Sequence, residues 1–223
     1  MRFFRKKSKA DDMFATLCRA RDVWDIQPDF VIDVGAAEGK WSTRCAEIWP
    51  DASFTLIEPL QEHSSKLGEI AKRENWEYEF FVAGEGPGSV DFSVTDDLDG
   101  SGVYDKGGRS MRCIEVRALD SLPPKKGRGL LKLDTHGYEV PILTGATSLL
   151  DQIDLVVIEV YGHRISGPCL LFYEICALMA EKGFRVAGIV DPMQRPRDGV
   201  FWQADFFFLR ESHPVFQTNT YNA

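Results

Sequence analysis

The chain has 223 residues, 44% of them hydrophobic, and its 34 acidic and 26 basic residues give a net charge of -8. This length and apolar content are enough for one sizeable α/β core, and we expect a single domain over residues 1–223. The acidic balance argues against a general nucleic-acid binder. Five cysteines without a C-x-x-C pair indicate neither a zinc site nor a disulfide framework, and they are typical of reduced thiols in a cytoplasmic protein.

The first residues, MRFFRKKSKA, are basic, but no apolar segment of signal-peptide length follows them. We expect residues 1–12 to form a flexible basic terminus, with contact to anionic lipid or an acidic partner as the alternative. No run reaches the roughly 18 apolar residues that span a membrane. We therefore predict a protein without an integral membrane segment.

Apolar runs of strand length alternate with helical patterns along most of the chain. The runs occupy 30–34, 53–57, 78–82, 130–134 and 155–161, and the helical patterns occupy 39–48, 60–74, 138–150 and 169–182. Such alternation predicts an α/β fold in which helices cover both faces of a parallel sheet.

Two segments break this alternation. Residues 84–117 are rich in Gly, Asp and Ser around short alternating pieces, and we expect an inserted, hairpin-like excursion there. Near the end, the runs at 184–191 and 202–209 are joined by too few residues for a crossover helix. We therefore predict that these last two strands pair antiparallel.

A glycine-bearing turn, VIDVGAAEGKWS, follows the first apolar run. In a doubly wound sheet this turn lies at the carboxyl edge of the strands, where ligands bind. A dinucleotide fingerprint that begins at Gly35 would need two more glycines, but the chain has Ala37 and Lys40 in their places. What remains is D-x-G-x-x-x-G, formed by Asp33, Gly35 and Gly39.

The D-x-G-x-x-x-G pattern suits a cofactor without a pyrophosphate, whose carboxylate meets amide donors near the helix N-terminus. S-adenosylmethionine (SAM) is such a molecule, and its cationic sulfonium and ammonium groups favour acidic neighbours. We therefore expect cofactor contacts throughout this turn, including Ala36, Ala37 and the acidic Glu38.

The second run ends FTLIEP, which places Glu58 directly after apolar residues and before Pro59. A carboxylate at this position can accept hydrogen bonds from both ribose hydroxyls of a nucleoside cofactor. The alternative is a glutamate that merely begins the next helix. We favour ribose binding, with Pro59 and Ala83 as further cofactor contacts.

Five blocks together resemble the FkbM-type family of SAM-dependent methyltransferases: VIDVGAAEGKWS, FTLIEP, RALDSL, LLKLDTHGYEVPILTGA and VVIEV. They follow the family's order over roughly residues 30–161, and the fourth is similar to the family pattern KID-x-x-GYE-x-x-VL-x-GA. The resemblance implies SAM as cofactor. It also implies a Rossmann-like class I methyltransferase with a mostly parallel seven-stranded sheet, an antiparallel last strand and helices on both faces.

Three positions depart from the family pattern. Relatives often have Asn where this chain has Ala37 and a hydrophobic residue where it has Glu38, and they often carry other residue types at His136. The contribution of Glu38 to cofactor binding and any catalytic role of His136 therefore do not follow from the resemblance.

The block DTHGYE supplies the candidate catalytic groups beyond the fourth run. Asp134 lies nearest the strand end, and we take it as the first candidate for a base or substrate-orienting carboxylate. His136 is the better base on chemistry alone, because histidine titrates nearest neutral pH. The structural alternatives are a loop cap for Asp134, a solvated loop position for His136, and a first-turn helix position for Glu139.

Lys132 and Glu159 lie within runs that otherwise indicate buried strands, where unpaired charges are costly. We expect the two side chains to form an ion pair, with Glu159 facing the methyl acceptor as the catalytic alternative. Asp134 and Glu159 also raise the question of Mg²⁺, which some O-methyltransferases bind through carboxylates. Two acids on adjacent strands are a poor metal signature, so we predict no metal site.

Residues near the same sheet edge are candidates for acceptor recognition. The segment YGHRISGP offers Tyr161, His163 and Arg164, the loop DDLDGSGVY offers Ser101, and Tyr138 follows the fourth run. A solvated loop position is the alternative for each loop residue.

The favoured interpretation is a SAM-dependent O-methyltransferase that acts on a sugar or another hydroxylated small molecule in glycan or natural-product biosynthesis, with no nucleic-acid acceptor. Two other classes of protein stay open. A nicotinamide (NAD)-dependent oxidoreductase would also use a ribose-binding acid, but the missing glycines and the antiparallel ending count against it. A non-catalytic SAM-binding scaffold would keep Glu58 while making Asp134 and His136 dispensable.

Overall fold

A computed structural model of the protein describes residues 9–73, 76–103, 110–165, 167 and 169–221, with side chains from residue 13 onward. These residues form ten strands, three short 3₁₀ turns and six α-helices. The strands are β1 (Phe30–Val34), β2 (Ser53–Ile57), β3 (Trp76–Glu79), β4 (Val82–Ala83), β5 (Gly88–Val94), β6 (Ser110–Arg117), β7 (Gly129–Leu133), β8 (Ile153–Tyr161), β9 (Phe184–Gln194) and β10 (Phe201–Arg210). The helices are α1 (Lys9–Asp22), α2 (Lys40–Ile48), α3 (Ser64–Ile70), α4 (Glu139–Thr144), α5 (Thr147–Leu150) and α6 (Phe172–Glu181).

The main sheet has seven strands in the order β3-β2-β1-β7-β8-β10-β9. Strands β3, β2, β1, β7 and β8 pair in parallel, whereas β10 pairs antiparallel with both β8 and β9. The predicted mostly parallel sheet with an antiparallel last strand is therefore confirmed. The prediction that the last two strands pair antiparallel is confirmed as well, because the connection between β9 and β10 contains only a turn.

A second, three-stranded sheet has the order β4-β6-β5. Strands β5 and β6 pair antiparallel from Gly88 opposite Val116 onward, within the segment for which the sequence predicts a hairpin-like excursion. The loop between them includes residues 104–109, which lie outside the described residues. This sheet encloses a small apolar cluster of its own around Phe92 and Val94.

The single strand predicted over residues 78–82 is wrong. Strand β3 ends at Glu79 as an edge strand that pairs with β2, and β4 begins at Val82 in the other sheet. Phe81 lies between the two and is fully buried in the main core. The apolar run therefore covers the transfer of the chain from one sheet to another.

The single helix predicted over residues 138–150 is also wrong, because the segment is divided into α4 and α5 at Gly145. A Cβ atom at position 145 would lie 2.0 Å from the carbonyl oxygen of Gly84, so the backbone of the insertion passes directly against the end of α4. The carboxylate of Asp120 then accepts two backbone N–H groups of α5, at 2.8 and 3.0 Å. Helices α2, α3 and α6 lie within their predicted ranges.

Helices cover both faces of the main sheet because its central strands present apolar side chains alternately to each face. On β10, Phe206 and Phe208 join the core under α4, α5 and α6. Phe207 and Leu209 join the opposite core under α1, α2 and α3. Helix α1 begins within the predicted flexible terminus 1–12, of which residues 1–8 lie outside the described residues.

The parallel strands end together at one edge of the main sheet. Strands β1, β2, β7 and β8 all place their carboxyl ends and following loops there, which is the edge where such sheets bind ligands. Among the described helices, none has the length and apolar content needed to cross a bilayer.

Candidate active site

A cavity of about 280 Å³ lies at this carboxyl edge, between the strand ends of the main sheet and the loop 95–103 of the insertion. Ten of the residues predicted from the sequence line it. They are Gly35, Ala37, Glu58, Pro59, Ala83, Ser101, Asp134, His136, Tyr138 and Glu159.

Seven other predicted residues do not line the cavity, and several have partners elsewhere. They are Asp33, Ala36, Glu38, Gly39, Tyr161, His163 and Arg164. Glu38 pairs with Lys40 on the surface. Arg164 donates to the carbonyl oxygen of Cys169 at 2.8 Å and pairs with Glu174, so it fixes the loop after β8.

The turn after β1 requires glycine because two loops touch there. Gly35 has a φ angle of 77°, and a Cβ atom on it would lie 2.0 Å from the carbonyl oxygen of Asp134. A side chain would therefore force the turn after β1 away from the loop after β7. Ala37 also has a positive φ angle, 46°, and its N–H points at the carboxylate of Glu58.

Glu58 is held at the end of β2 by two backbone donors. Its Oε2 accepts the N–H of Ala37 and its Oε1 accepts the N–H of Leu60, both at 2.9 Å. Each oxygen keeps one lone pair for a further donor. Burial raises the pKa of the carboxyl group above its ordinary value, which the two hydrogen bonds oppose.

Beneath the cavity, Lys132 joins two carboxylates. Its Nζ lies 3.1 Å from Asp33 Oδ1 and 3.4 Å from Asp134 Oδ2, and Asp33 also accepts the hydroxyl of Ser42 at 2.6 Å. Burial lowers the pKa of Lys132, but the two carboxylates outweigh it and the pKa lies above its ordinary value. The predicted ion pair between Lys132 and Glu159 is wrong, because Lys132 lies opposite Val157 in the register of β7 and β8.

Asp134 and Glu159 have opposite pKa shifts, and Glu159 is buried whereas the side chain of Asp134 is 39% exposed. For Asp134, burial raises the pKa, but the charges of Lys132 and His136 outweigh it and the pKa is lowered. For Glu159, burial and then the charge of Asp134 raise the pKa to about 8. Glu159 accepts hydrogen bonds from the Tyr161 hydroxyl and from Nε2 of Gln203.

His136 faces both carboxylates from the loop after β7. Its φ angle is 55°, and its Nδ1 lies 3.1 Å from the carbonyl oxygen of Ser101. A carbonyl oxygen only accepts, so Nδ1 carries the proton of this hydrogen bond. Nε2 then lies 3.9 Å from Asp134 Oδ1 and 4.0 Å from Glu159 Oε2.

The loop that carries His136 is fixed from below by Glu139, the first residue of α4. The buried carboxylate of Glu139 accepts the N–H of Gly137 at 3.0 Å and the hydroxyl of Thr135 at 3.1 Å. Burial raises the pKa of Glu139, which the hydrogen bond from Gly137 opposes. Glu139 therefore stabilises the loop from below the cavity.

Two side-chain contacts of the site were not predicted from the sequence. Gln203 contacts Glu159 because β10 inserts antiparallel beside β8 and sets Gln203 opposite Tyr161. The short connection between β9 and β10 predicts that these strands pair antiparallel. It does not predict the register of β10 against β8, which brings Gln203 next to Glu159. The second is the bridge from Lys132 to Asp33, which follows from their direct pairing across β7 and β1.

The strand order, the cavity at the carboxyl edge and the acid at the end of β2 agree with the class I methyltransferase fold that the sequence predicts. A family model described as the methyltransferase FkbM domain matches residues 33–186. The chain therefore belongs to the FkbM methyltransferase family. A comparison with curated proteins found no match.

Three solved structures show how widely this fold is used. A magnesium protoporphyrin IX methyltransferase from Synechocystis PCC 6803 with bound SAM has a TM-score of 0.51 at 10% identity, over 89% of this chain and 76% of that one. A candidate RNA methyltransferase from Pyrococcus horikoshii has a TM-score of 0.50 at 14% identity, over 90% and 82%. A pericyclic reaction enzyme has a TM-score of 0.50 at 11% identity, over 93% and 49%. At these identities the likeness concerns the fold alone.

Proposed function

We propose that this protein is a SAM-dependent O-methyltransferase whose acceptor is a hydroxyl group of a sugar or another small molecule, in glycan or natural-product biosynthesis in the cytoplasm. The observation that carries the proposal is that one cavity is lined both by Glu58 and by the cluster of Asp134, His136 and Glu159. The first is an acceptor for ribose hydroxyls, and the second can bind and deprotonate an acceptor hydroxyl.

Several features of the cavity support SAM as the cofactor. The carboxylate of Glu58 is oriented by two backbone N–H groups and retains lone pairs for ribose hydroxyls. Gly35 lines the cavity with its backbone, and Phe81, Ile142 and Leu60 supply an apolar wall for a purine ring. When bound, SAM supplies an electrophilic methyl group.

Methyl transfer from sulfur to oxygen leaves the protein two tasks. It must hold the acceptor oxygen close and in line with the methyl group, and it must remove a proton from that oxygen. Asp134 is the first candidate to orient the hydroxyl and accept its proton, because Lys132 holds one of its oxygens and leaves the other facing His136. His136 Nε2 is the second candidate.

The acceptor class rests on the charges around the cavity. Its acidic lining residues are Glu58, Asp99, Asp134 and Glu159, and its two basic lining residues among those described are His63 and His136. An anionic acceptor such as a phosphorylated sugar or a nucleic acid would meet net repulsion there. A neutral polyol would not, and its hydroxyls match carboxylate acceptors.

Calorimetric titration of S-adenosylhomocysteine (SAH), SAM and NAD into the purified protein tests the cofactor. We expect SAH and SAM to bind, NAD not to bind, and Glu58→Ala to weaken SAH at least tenfold, because two hydrogen bonds to a charged group are lost. Glu38→Ala is the matched control, since Glu38 pairs with Lys40 outside the cavity, and it should leave the dissociation constant within about twofold. Binding of NAD alone would overturn the proposal.

The second arm of this test separates an enzyme from a SAM-binding scaffold. An acceptor screen among hydroxylated sugars and small aromatics, read by SAH release, identifies a substrate. Asp134→Asn should then lower turnover by about 10²- to 10⁴-fold, the usual contribution of a positioned base, while SAH still binds. Unchanged turnover in Asp134→Asn would remove Asp134 from the reaction, and absence of SAH release with every acceptor would favour the scaffold.

A further inference from the structure

Three side chains direct metal-ligating atoms towards one point of the cavity. They are Asp134, His136 and Glu159, and one nitrogen or oxygen atom of each lies within 4.8 Å of the other two. They come from the loop after β7 and from the end of β8, at the carboxyl edge of the sheet. The sequence pattern offers only two acids as possible metal ligands, whereas the structure adds the imidazole of His136 close to both.

Each of the three side chains is oriented by a partner outside the cluster. Lys132 lies 3.4 Å from Asp134 Oδ2 and leaves Oδ1 for the cavity. Gln203 donates to Glu159 Oε1, and the carbonyl oxygen of Ser101 holds His136 Nδ1. Metal-binding histidines and carboxylates in proteins are fixed in this way by outer partners, which set the tautomer and the side-chain direction.

Nε2 of His136 forms no hydrogen bond with either carboxylate of the cluster. With Nδ1 as the donor to Ser101, Nε2 is the ring atom that faces Asp134 Oδ1 and Glu159 Oε2, at 3.9 and 4.0 Å. These separations are too long for hydrogen bonds. A divalent cation placed between these atoms would be held by the imidazole lone pair and by the two carboxylates, whose ionised forms it favours.

We infer that Asp134, His136 and Glu159 bind a divalent cation within the cavity. The two carboxylates suit Mg²⁺ and Mn²⁺, whereas the imidazole suits transition metals. Mn²⁺ is a transition metal that carboxylates also bind, so it matches this set of ligands. Three protein ligands leave further coordination positions to water or to a substrate oxygen. The structure therefore supplies a site of the kind that binds substrate through a metal.

The cation also has a consequence for the acceptor, and this part rests on the proposed function. A hydroxyl oxygen bound to the cation loses its proton more readily, so with the cation in place the proton passes to solvent and not to Asp134 or His136. The oxygen then forms a bond to the methyl carbon while the carbon–sulfur bond breaks and its electron pair stays on sulfur, which gives the methyl ether and SAH. In this role Asp134 and His136 hold the cation that activates the hydroxyl.

Titration of Mn²⁺ into the EDTA-treated and dialysed protein, followed by the electron paramagnetic resonance signal of free Mn²⁺, tests the inference. We expect one site in the wild-type protein. His136→Ala, Asp134→Asn and Glu159→Gln should each weaken Mn²⁺ binding at least tenfold. Asp99→Asn removes a carboxylate of the same cavity outside the cluster, and His213→Ala removes a half-buried histidine that does not line the cavity, so both controls should stay within about twofold.

Calorimetry with SAH on the same samples separates this inference from the proposed function and shows that each variant is folded. SAH binding without Mn²⁺ binding in the wild-type protein would overturn the cation site and leave the methyltransferase proposal standing. Mn²⁺ binding that persists in His136→Ala and Glu159→Gln would overturn it too, because the ion would then lie elsewhere. Loss of Mn²⁺ in these variants with SAH binding retained supports it.

Discussion

At the scale of single residues, the buried ammonium of Lys132 balances the charges of two carboxylates, Asp33 below the cavity and Asp134 in its lining. Asp33 is fully buried, and its charge is balanced by Lys132 at 3.1 Å and by the hydroxyl of Ser42. Asp134 uses the same ammonium from the other side. The removal of one member of a buried charged group is costly because it leaves the other unpaired.

Lys132→Met should therefore lower the free energy of unfolding by about 3–5 kcal/mol, although methionine has a similar length and is apolar. The double variant Asp33→Asn, Lys132→Met should recover part of this loss, because no unpaired charge remains around Ser42. Urea denaturation of the three proteins measures both effects. A double variant as unstable as Lys132→Met would show that the loss comes from packing and not from the charge.

Lys132→Met should also change how the free energy of unfolding depends on pH. Burial already raises the pKa of Asp33 in the folded protein, and without Lys132 that pKa rises further while the unfolded value stays ordinary. The folded state then binds more protons than the unfolded state between the two values, so stability is lost as pH rises through them. The deficit of Lys132→Met should shrink from about pH 8 to about pH 5, and the double variant should not show this trend.

Residue types were easier to predict from the sequence than residue partners. The sequence placed Lys132 and Glu159 in buried strands, but their predicted ion pair does not form because the register sets Lys132 opposite Asp33 and Val157. A strand register depends on packing of whole faces, which no local pattern contains. The placement of Gln203 against Glu159 was unpredictable for the same reason.

At the scale of elements, the insertion and the helix pair α4–α5 fix each other's positions through contacts at Gly145. The backbone at Gly84, just after β4, passes against Gly145 between the two helices. The N–H of Asp120, beyond β6, donates to the carbonyl oxygen of Gly145 at 2.9 Å. The helical periodicity of 138–150 predicted the residues that face the core, but it could not predict a break that another segment imposes.

Gly145→Ala should lower the free energy of unfolding by about 1–3 kcal/mol, because the added Cβ atom forces Gly84 and the end of α4 apart. The φ angle of Gly145 is −82°, which alanine adopts without strain, so the expected loss isolates the contact. Gly86→Ala is the matched control, since a Cβ atom there meets nothing within 4 Å. Urea denaturation should show a neutral or slightly stabilised Gly86→Ala protein, and equal effects at both positions would contradict the close approach.

At the scale of the whole molecule, the cavity exists only when distant parts of the chain have assembled. Glu58 follows β2, Asp134 follows β7, and Ser101 belongs to the insertion between them. The alternation of strands and helices predicted this edge, because the carboxyl ends of parallel strands converge, and ten of the residues predicted for the site line its cavity. The loop 95–103 over the cavity followed from no periodic pattern.

A cavity assembled in this way links ligand binding to global stability, because the unfolded chain offers no equivalent site. SAH at a hundred times its dissociation constant should add about 2.7 kcal/mol to the free energy of unfolding. Glu58→Ala with tenfold weaker binding should gain only about 1.4 kcal/mol at the same SAH concentration, and Glu38→Ala should gain as much as the wild type. Urea denaturation with and without SAH measures these gains, with NAD as the ligand that should add nothing. A wild-type midpoint that SAH leaves unmoved would mean that the cavity does not bind the nucleoside, and the roles of Glu58 and Gly35 would both have to be withdrawn.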